Sequence, residues 1–536
     1  MSEEIYEKII SLAKRRGFLY PSYEIYGGAS GFYDYGPLGT LLKNKMEEKW
    51  REFYVMGEGF FEISTPVITP YDVLKASGHV DEFIDEIATC RKCGATFKKE
   101  ELLEGKCPLC GGDVIEGKLN LMFETKIGAR KKEVAFLRPE TAQGIFVDFP
   151  LLYEFFRKKM PFGVVQIGKG FRNEVSPRQG IIRLREFSMA EAEIFFEPDK
   201  KKHERFGEMK DEILNLLTEE EEEMEIKVEE AVKEGVIGNE ALAYYMALTK
   251  KFLVSVGIDE SKIRFRQHKK EELAHYAREC WDAEIFSSRF GWVECVGIAD
   301  RSAHDLKSHM EATGIDMRAF RKFDKERKVR KIVAKPIMNK LGKEFREKAM
   351  EIVKQMEKME LKGDEEKIVV KVDGEEVGIG KEFFILEERE VVESGEKFIP
   401  HVIEPSYGMD RIFYFILEHN YREMEKEGER YVILSLPPDM APIKAGVFPL
   451  VSRDNLPHVA KKIEKMLREN GIMAVYDERG SIGRRYARMD EIGTPFCITV
   501  DYQTLEDDTV TIRFRDTTEQ VRVGIGEIVK WIGEKI

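Results

Sequence analysis

The chain has 536 residues, 43% apolar and 11% aromatic, enough to bury a sizeable interior but too long for a single core, so several domains are expected. No run of about 18 apolar residues exists, which excludes a helical membrane span, and the start, Met1-Ser2-Glu3-Glu4 followed by Ile5, Ile9, Leu12 and Ala13 at helical spacing, lacks a secretory pattern, so a cytoplasmic location is expected. The formal charge of −13, from 86 basic against 99 acidic residues, argues against indiscriminate nucleic-acid binding and leaves room for a local basic surface.

Residues 38–55 set Leu41, Leu42, Met46, Trp50, Phe53 and Tyr54 at helical intervals and predict a long amphipathic helix that Gly57 and Gly59 end. Residues 60–68 then read as a strand whose Pro66 favours an edge or a strand end. An inserted glycine-rich ribbon is expected over 88–118. Beyond it 134–137 reads as a strand, and Glu140 opens a helix through Ile145, Phe146 and Phe149 towards Pro150. Strand-like runs at 164–174 and 181–196, joined by the turn formers of 175–180, predict a β-hairpin with a polar tip. The acidic run 218–230 reads as a solvated helix face. Residues 312–395 hold a basic stretch at 318–335, a charged helix and a strand-like 369–379, either a nucleic-acid contact or a solvated insertion. From 431 onward the short apolar runs 432–436, 446–451, 473–476, 496–500 and 509–514, with a helical pattern at 456–468, indicate a separate α/β domain.

Cys90-x-x-Cys93 and Cys107-x-x-Cys110 have the spacing of a tetrahedral zinc site, in which each short hairpin sets two thiolates on one side of the ion and no position is left open for catalysis. A disulfide pair is the alternative, disfavoured where thiols stay reduced. Cys280, Cys295 and Cys497 are isolated, and buried packing is their expected role.

Period-two alternation makes the hairpin informative. Arg172 and Glu174 share one face of the first run; Arg183, Arg185, Phe187, Met189, Glu191 and Glu193 share one face of the second, with Ile182, Leu184, Ala190, Ala192 and Ile194 mostly on the other. Cross-strand Arg and Glu pairs decorate many exposed sheets. The mixture of fixed positive charge, an aromatic plate and carboxylates is also what a nucleotide beside an amino acid needs.

Phe171-Arg172-Asn173-Glu174 with Arg185-Glu186-Phe187 resembles motif 2 of the class II aminoacyl-tRNA synthetases, Gly408-Met409-Asp410-Arg411 resembles motif 3, and the helix at 38–55 with the strand ending at Pro66 resembles motif 1. The runs at 31–39, 138–144, 299–302 and 404–408 resemble the dimeric glycyl-tRNA synthetases of archaeal and eukaryotic type, a likeness that extends from about Tyr6 to the C-terminus and thins over two insertions. It implies an α/β protein: an α+β catalytic domain over 1–430, its antiparallel sheet flanked by helices and interrupted at 88–118, 200–270 and 312–395, then an anticodon-binding α/β domain over 431–536. It also implies activation of glycine by ATP with Mg2+, transfer to the 3′ end of tRNA(Gly), structural Zn2+ on Cys90, Cys93, Cys107 and Cys110, and a homodimer.

The ATP site implied is Arg172, Asn173, Glu174, Arg178, Arg183, Leu184, Phe187, Glu294, Cys295 and Arg411. Arg172 would hold the α-phosphate and Arg178 and Arg411 the outer phosphates, so that Arg172 and Arg411 carry the catalysis, while Glu294 would serve ATP through magnesium. For glycine, Glu140, Glu191 and Glu404 would surround the ammonium, Arg301 would pair the carboxylate, and Ser406 would help close the space above Cα. The attacking carboxylate is already ionised, so positioning and electrostatics are expected rather than a general base. Arg479, Arg484, Arg485 and Arg488 would contact RNA, with a solvated helix as the alternative. A synthetase-like binding module and a ligase for serine, proline or threonine are the rival readings; Arg172, Arg301 and Arg411 speak against the first, and the carboxylates and the 31–39 run against the second.

Overall fold

The structure, a computed structural model, describes all residues except 1, 130–131, 176, 178–179, 271–276, 357–358, 360, 362–364, 373–374 and 427–428. Its two compact units are Met1–Met317 with Ile399–Ile536, and Arg318–Phe398. Among the described residues no helix is long and apolar enough to cross a membrane.

In the larger unit α1 (Ser2–Arg16) buries Ile9, Leu12 and Ala13. Pro37, whose missing N–H costs nothing at a first helical position, starts α2 (Pro37–Arg51), which buries Leu42, Met46 and Trp50 and widens into a π-helical turn at Glu52–Gly57. Tyr54 on that turn stacks on Trp50 with centroids 4.6 Å apart and shares a 2.7 Å hydrogen bond with the Tyr407 hydroxyl. The strand expected over 60–68 is two short pieces: β1 (Phe61–Glu62) in the large sheet, and Ile68–Pro70 in a separate three-stranded sheet with Phe123–Ile127 and Glu133–Leu137. Residues 63–67 turn from one sheet to the other, Ile63 donating to the Val165 carbonyl and the Val67 carbonyl accepting from Arg138.

The cysteine segment is a ribbon of β2 (Ile84–Cys90), β3 (Thr96–Lys98) and β4 (Val114–Asn120), with β2 in the middle. After it come α3 (Ala142–Val147), α4 (Phe149–Phe155), β5 (Phe162–Phe171) and β6 (Glu186–Phe196). β5 and β6 pair antiparallel, but both stop earlier at the hairpin tip than the sequence pattern suggests: residues 180–182 form a 3-10 turn, and the Arg185 N–H leaves the ladder for the Gly31 carbonyl. Arg172, Glu174, Arg183 and Arg185 are therefore loop residues, and the strand alternation does not apply to them.

The acidic run is a second correction. Instead of a helix face it supplies β8 (Glu223–Lys227), paired with β7 (Ile213–Leu217), before a short helix at Val228–Lys233. Met224 and Ile226 pack on the core while Glu223, Glu225 and Lys227 alternate outward, a period of two rather than 3.6. α5 (Glu240–Ser255), capped by the Asn239 side chain, lies buried along most of its length. β9 (Ile263–Gln267), β10 (Glu279–Ser287), β11 (Gly291–Ser302), α6 (His304–Thr313), β12 (His401–Gly408) and α7 (Met409–Asn420) complete a nine-stranded sheet in the order β8-β7-β9-β10-β11-β12-β6-β5-β1. It is antiparallel except at β7/β9 and β5/β1.

After β12 and α7, residues Tyr421–Lys426 and Glu429–Leu434 pair only with each other. The later sheet holds β13 (Ala445–Pro449), β14 (Ala474–Tyr476), β15 (Phe496–Val500), β16 (Thr509–Phe514) and β17 (Gln520–Gly524) in the order β14-β13-β15-β16-β17. α8 (Leu456–Glu469) covers it through Leu456, Ala460, Ile463 and Leu467, and α9 (Ile482–Asp490) carries Arg484, Arg485 and Arg488 of the arginine cluster, with Arg479 in the turn before it. Arg485 of that cluster is buried, donating to the carbonyls of Pro449, Glu478 and Gly480, so it braces the fold and is removed from the RNA-contact set; Arg479 and Arg484 remain exposed.

The smaller unit is a long antiparallel ladder, Ala319–Pro336 with Phe384–Phe398, beside a second hairpin, Lys367–Val372 with Glu375–Gly380, and the helices Met338–Phe345 and Ala349–Met356. The basic stretch at 318–335 is thus a strand facing the acidic 387–396, with pairs such as Lys331–Glu393 at 2.6 Å and Lys328–Glu390 at 2.8 Å.

Candidate active site

One face of the large sheet forms the floor of a cavity of about 270 Å³. Register sets its layout: Asp282 on β10 lies opposite Gly297 on β11, Gly297 opposite Ser406 on β12, Ser406 opposite Glu191 on β6, and Glu191 opposite Gln166 on β5. Residues opposite one another share a face. A second row joins Cys280, Ala299 and Glu404. Gly297 leaves the middle of the floor open, since a Cβ there would meet only Asp282 Oδ1, at 3.9 Å.

The amino-acid candidates meet at one end. Glu140, Glu191, Arg301, Glu404 and Ser406 all line the cavity. Glu191 is fixed by the Thr141 N–H and the Ser406 hydroxyl, each at 2.7 Å, and also accepts from the Thr141 hydroxyl. Gln143 donates to Glu140 at 2.9 Å and to Asp305 at 3.0 Å, and itself shares a hydrogen bond with His309. His79 Nε2 stands 3.5 Å from the other Glu140 oxygen, its ring oriented by Ser77.

Arg301, 1% exposed, does not present a free fork. Its Nε and Nη2 donate to Asp305 at 2.8 and 2.9 Å, its Nη1 to both oxygens of Glu404 at 3.0 and 2.8 Å, and Nη2 is 3.7 Å from Glu140. This guanidinium braces the acidic groups, and a ligand carboxylate of the kind expected for it would have to share donors already held by Asp305 and Glu404.

Glu140, Glu191, Glu193, Glu404 and Asp305 are all buried around it. Burial and mutual repulsion keep them from ionising together. Burial, with repulsion from Glu191 and Glu140, pushes Glu404 up to about 8 despite Arg301. Burial and the neighbouring Glu140 raise Glu191. Burial and Glu404 raise Glu193 well above the carboxylate range, and neither of its oxygens is hydrogen-bonded. Glu140 and Asp305 are also buried, but the His79 ring and the Arg301 guanidinium beside the first, and Arg301 beside the second, hold both below it.

The nucleotide candidates line the other end: Arg172, Glu174, Arg183, Leu184, Phe187, Glu294, Cys295 and Arg411. Arg172 lies over the rings of Phe83 and Phe187, 5.2 and 5.4 Å from their centroids, and its Nε is buried without a hydrogen bond. Arg183 Nε pairs with Glu174 at 2.9 Å. Arg411, on the first turn of α7, donates to the carbonyls of Ile182 and Glu294. Asp410 beside it is buried and accepts from the Ser188 N–H and the Tyr35 hydroxyl, tying α7 to β6 and to residues 33–35. Asn173 is not on the cavity wall; its N–H donates to the Leu121 carbonyl. Arg178 lies outside the described residues.

Sequence reasoning passed over His268 and Asp282 and gave Cys280 only a packing role, yet all three line the same cavity, with His268 Nε2 2.7 Å from Asp282. Their signal was the Cys-x-Asp spacing on one strand face, visible only once β10 is placed in the sheet. In the ribbon Cys90, Cys93, Cys107 and Cys110 converge as free thiols, with Sγ separations of 3.5 Å (Cys90–Cys110) and 3.7 Å (Cys93–Cys107). Those are close to the edges of a zinc tetrathiolate with bonds of about 2.3 Å. The N–H groups of Cys93 and Lys92 hold the Cys90 thiol down to about 6, as a metal-binding thiolate requires.

The model of the tRNA synthetase class II core domain (G, H, P, S and T) matches residues 123–420, and that of an anticodon binding domain matches 444–535. A glycine–tRNA ligase of Methanocaldococcus jannaschii is 50% identical, the alignment covering 100% of both chains. The chain belongs to the glycine–tRNA ligase family. A second glycine–tRNA ligase, of Pyrococcus horikoshii, is 49% identical over 99% of this chain and 98% of its own. The fold is shared more widely: a crystal structure of prolyl-tRNA synthetase from Cryptosporidium parvum, complexed with L-proline and AMP, superposes with a TM-score of 0.52 at 12% identity, covering 98% of this chain and 75% of that one. Within the ligase family frame, the acidic end of the cavity stands on Arg301. Arg301→Met leaves Glu404 and Asp305 buried without their cation and should cost about 3–5 kcal/mol, read as a lowered thermal midpoint, and adding Glu404→Leu should restore part of it. A midpoint unchanged by Arg301→Met contradicts the bracing role.

Proposed function

We propose that the chain activates glycine with ATP to the adenylate and transfers it to the 3′ end of tRNA(Gly), using the two ends of this cavity for the two small substrates. The observation that carries the reading is the buried cluster of Glu140, Glu191 and Glu404 beside Ser406, next to a wall bearing Arg172, Phe187 and Arg411. An ammonium ion fits among the carboxylates, and Ser406 beside them would help close the space above the ligand Cα against a side chain. Arg172, with an unpaired Nε, is the cation placed for the α-phosphate as the glycine carboxylate attacks and pyrophosphate leaves. Phe187 offers a face for adenine, Glu174 and Arg183 its polar edge, and Arg411 the outer phosphates. Glu294, at the same end as Glu174, is the carboxylate that would serve magnesium arriving with ATP, an ion that would offset phosphate charge there.

Glycine-dependent ATP–pyrophosphate exchange without tRNA tests this. Exchange should occur with glycine and fall by at least about 100-fold with alanine or serine; equal exchange with alanine contradicts the pocket assignment. The alternative of a binding module without catalysis predicts no exchange.

Zinc on the four cysteines is the structural metal that their convergence supports, in a cytoplasmic setting where thiols stay reduced. A homodimer is supported by apolar groups left in water at the open β1 edge: Phe61 packs edge-on against Phe155 at 5.2 Å, and Phe155 and Leu151 are 60% and 73% exposed. Phe155→Glu should shift the sedimentation coefficient from dimer towards monomer; a wild-type chain that sediments as a monomer contradicts the dimer.

A further inference from the structure

Ile25 and Tyr26, 90% and 85% exposed, are the most exposed large apolar side chains among the described residues, and Tyr23 is 60% exposed beside them. They stand on a stiff turn. Tyr23 adopts the left-handed conformation at φ 59°, the 3-10 segment Glu24–Tyr26 follows, and Gly27 ends it at φ 92°. Tyr26, Gly27 and Gly28 donate their N–H groups to Tyr23, Glu24 and Tyr23 at 2.8, 3.0 and 3.0 Å. Ser22 donates to Asp34 at 2.7 Å below the turn, and the Tyr23 ring meets Phe32 at 6.2 Å. A left-handed non-glycine residue and apolar side chains in water both work against folding, so nothing in the packing of the chain accounts for this display.

The segment is fastened to the cavity rim. The Arg185 N–H donates to the Gly31 carbonyl at 2.9 Å and its Nη1 to the Ser30 carbonyl at 3.0 Å, while its Nε and Nη2 hold the carbonyl of Glu174, which lines the cavity. Gly31, at φ +77°, lies so close to the hairpin tip that a Cβ would come within 2.7 Å of Pro177 Cγ.

We propose that Tyr23, Ile25 and Tyr26 form a stacking platform for the unpaired 3′ end of tRNA as it is led into the cavity. The inference rests on the ligase reading above. Unpaired bases present flat faces that exposed aromatic rings bind without regard to sequence, and a turn already rigid loses little freedom on contact. RNA is the occupant rather than a second copy of the chain because the segment carrying the turn is bonded through Ser30 and Gly31 to the rim of the cavity where the 3′ end has to arrive.

The test uses the full-length protein carrying Ile25→Ser with Tyr26→Ala. Pyrophosphate exchange should stay within about twofold of wild type, as expected for exposed positions, while aminoacylation kcat/KM for tRNA drops about tenfold or more, the loss of one stacked base. In a second chain, Tyr26→p-benzoylphenylalanine should crosslink on irradiation to the terminal nucleotides of the bound tRNA. Unchanged kcat/KM for tRNA, an equal fall in exchange, or a crosslink to a second protein chain would each overturn the platform. Failure of exchange in the wild type is the separate failure of the ligase reading.

Discussion

The acidic end of the cavity is governed by one imbalance: several buried carboxyl groups share a single guanidinium. Arg301 donates to Asp305 and Glu404 and stands near Glu140, while among the described residues no cation is hydrogen-bonded to Glu191 or Glu193. Isolated ionised carboxylates in such a place are costly, so the ligand-free site retains protons, as the raised Glu404 and Glu193 indicate. In the proposed function the same imbalance is a binding device: an arriving ammonium would supply the missing positive charge, and its fit would depend on carboxylates that cannot swing away. Thr141, Gln143 and His309 hold them from the turn before α3, from α3 and from α6, and Ser77 and His79 hold Glu140 from the segment before β2, so side chains packed beside the sheet fix the carboxylates in place.

The nucleotide end works differently. Its cations lie on the wall of the cavity, Arg172 stacked on aromatic rings and Arg411 at the start of a helix where the dipole favours an anion. Gly297 separates the two ends of the floor with open space. A small amino acid and a nucleotide can therefore lie side by side on one sheet face while each meets the opposite sign of charge.

How much of this was legible in the sequence varied with the physics that fixes each part. Helices with strong periodic faces, α1, α2 and α8, and the C-terminal alternation of strands and helix followed from patterning, because burial of one face dictates them. The cysteine ribbon followed from ligand spacing. The acidic run failed because charge density obscured a period of two carried by only Met224 and Ile226. The hairpin tip failed because Arg185 pairs with Gly31, a partner more than 150 positions away that no local pattern reveals. Arg301 and Arg485 stand out in the sequence as cations, but their intramolecular partners do not: only the fold shows which carboxylates or carbonyls already occupy them. The row Asp282, Gly297, Ser406, Glu191 is likewise a property of register between strands distant in the chain.

The most direct test of the charge imbalance is titration calorimetry of glycine binding between pH 6 and pH 8 in buffers of different ionisation enthalpy. Carboxyl groups that hold protons in the free site, Glu404 up to about 8 among them, must release them to receive an ammonium, so the observed heat should vary with the buffer and glycine affinity should rise with pH towards about 8. Above about pH 9.5 affinity should fall again as glycine loses its own proton. Heats independent of the buffer and an affinity flat across this range would mean that the carboxylates are already ionised and balanced without the ligand, and would contradict the account.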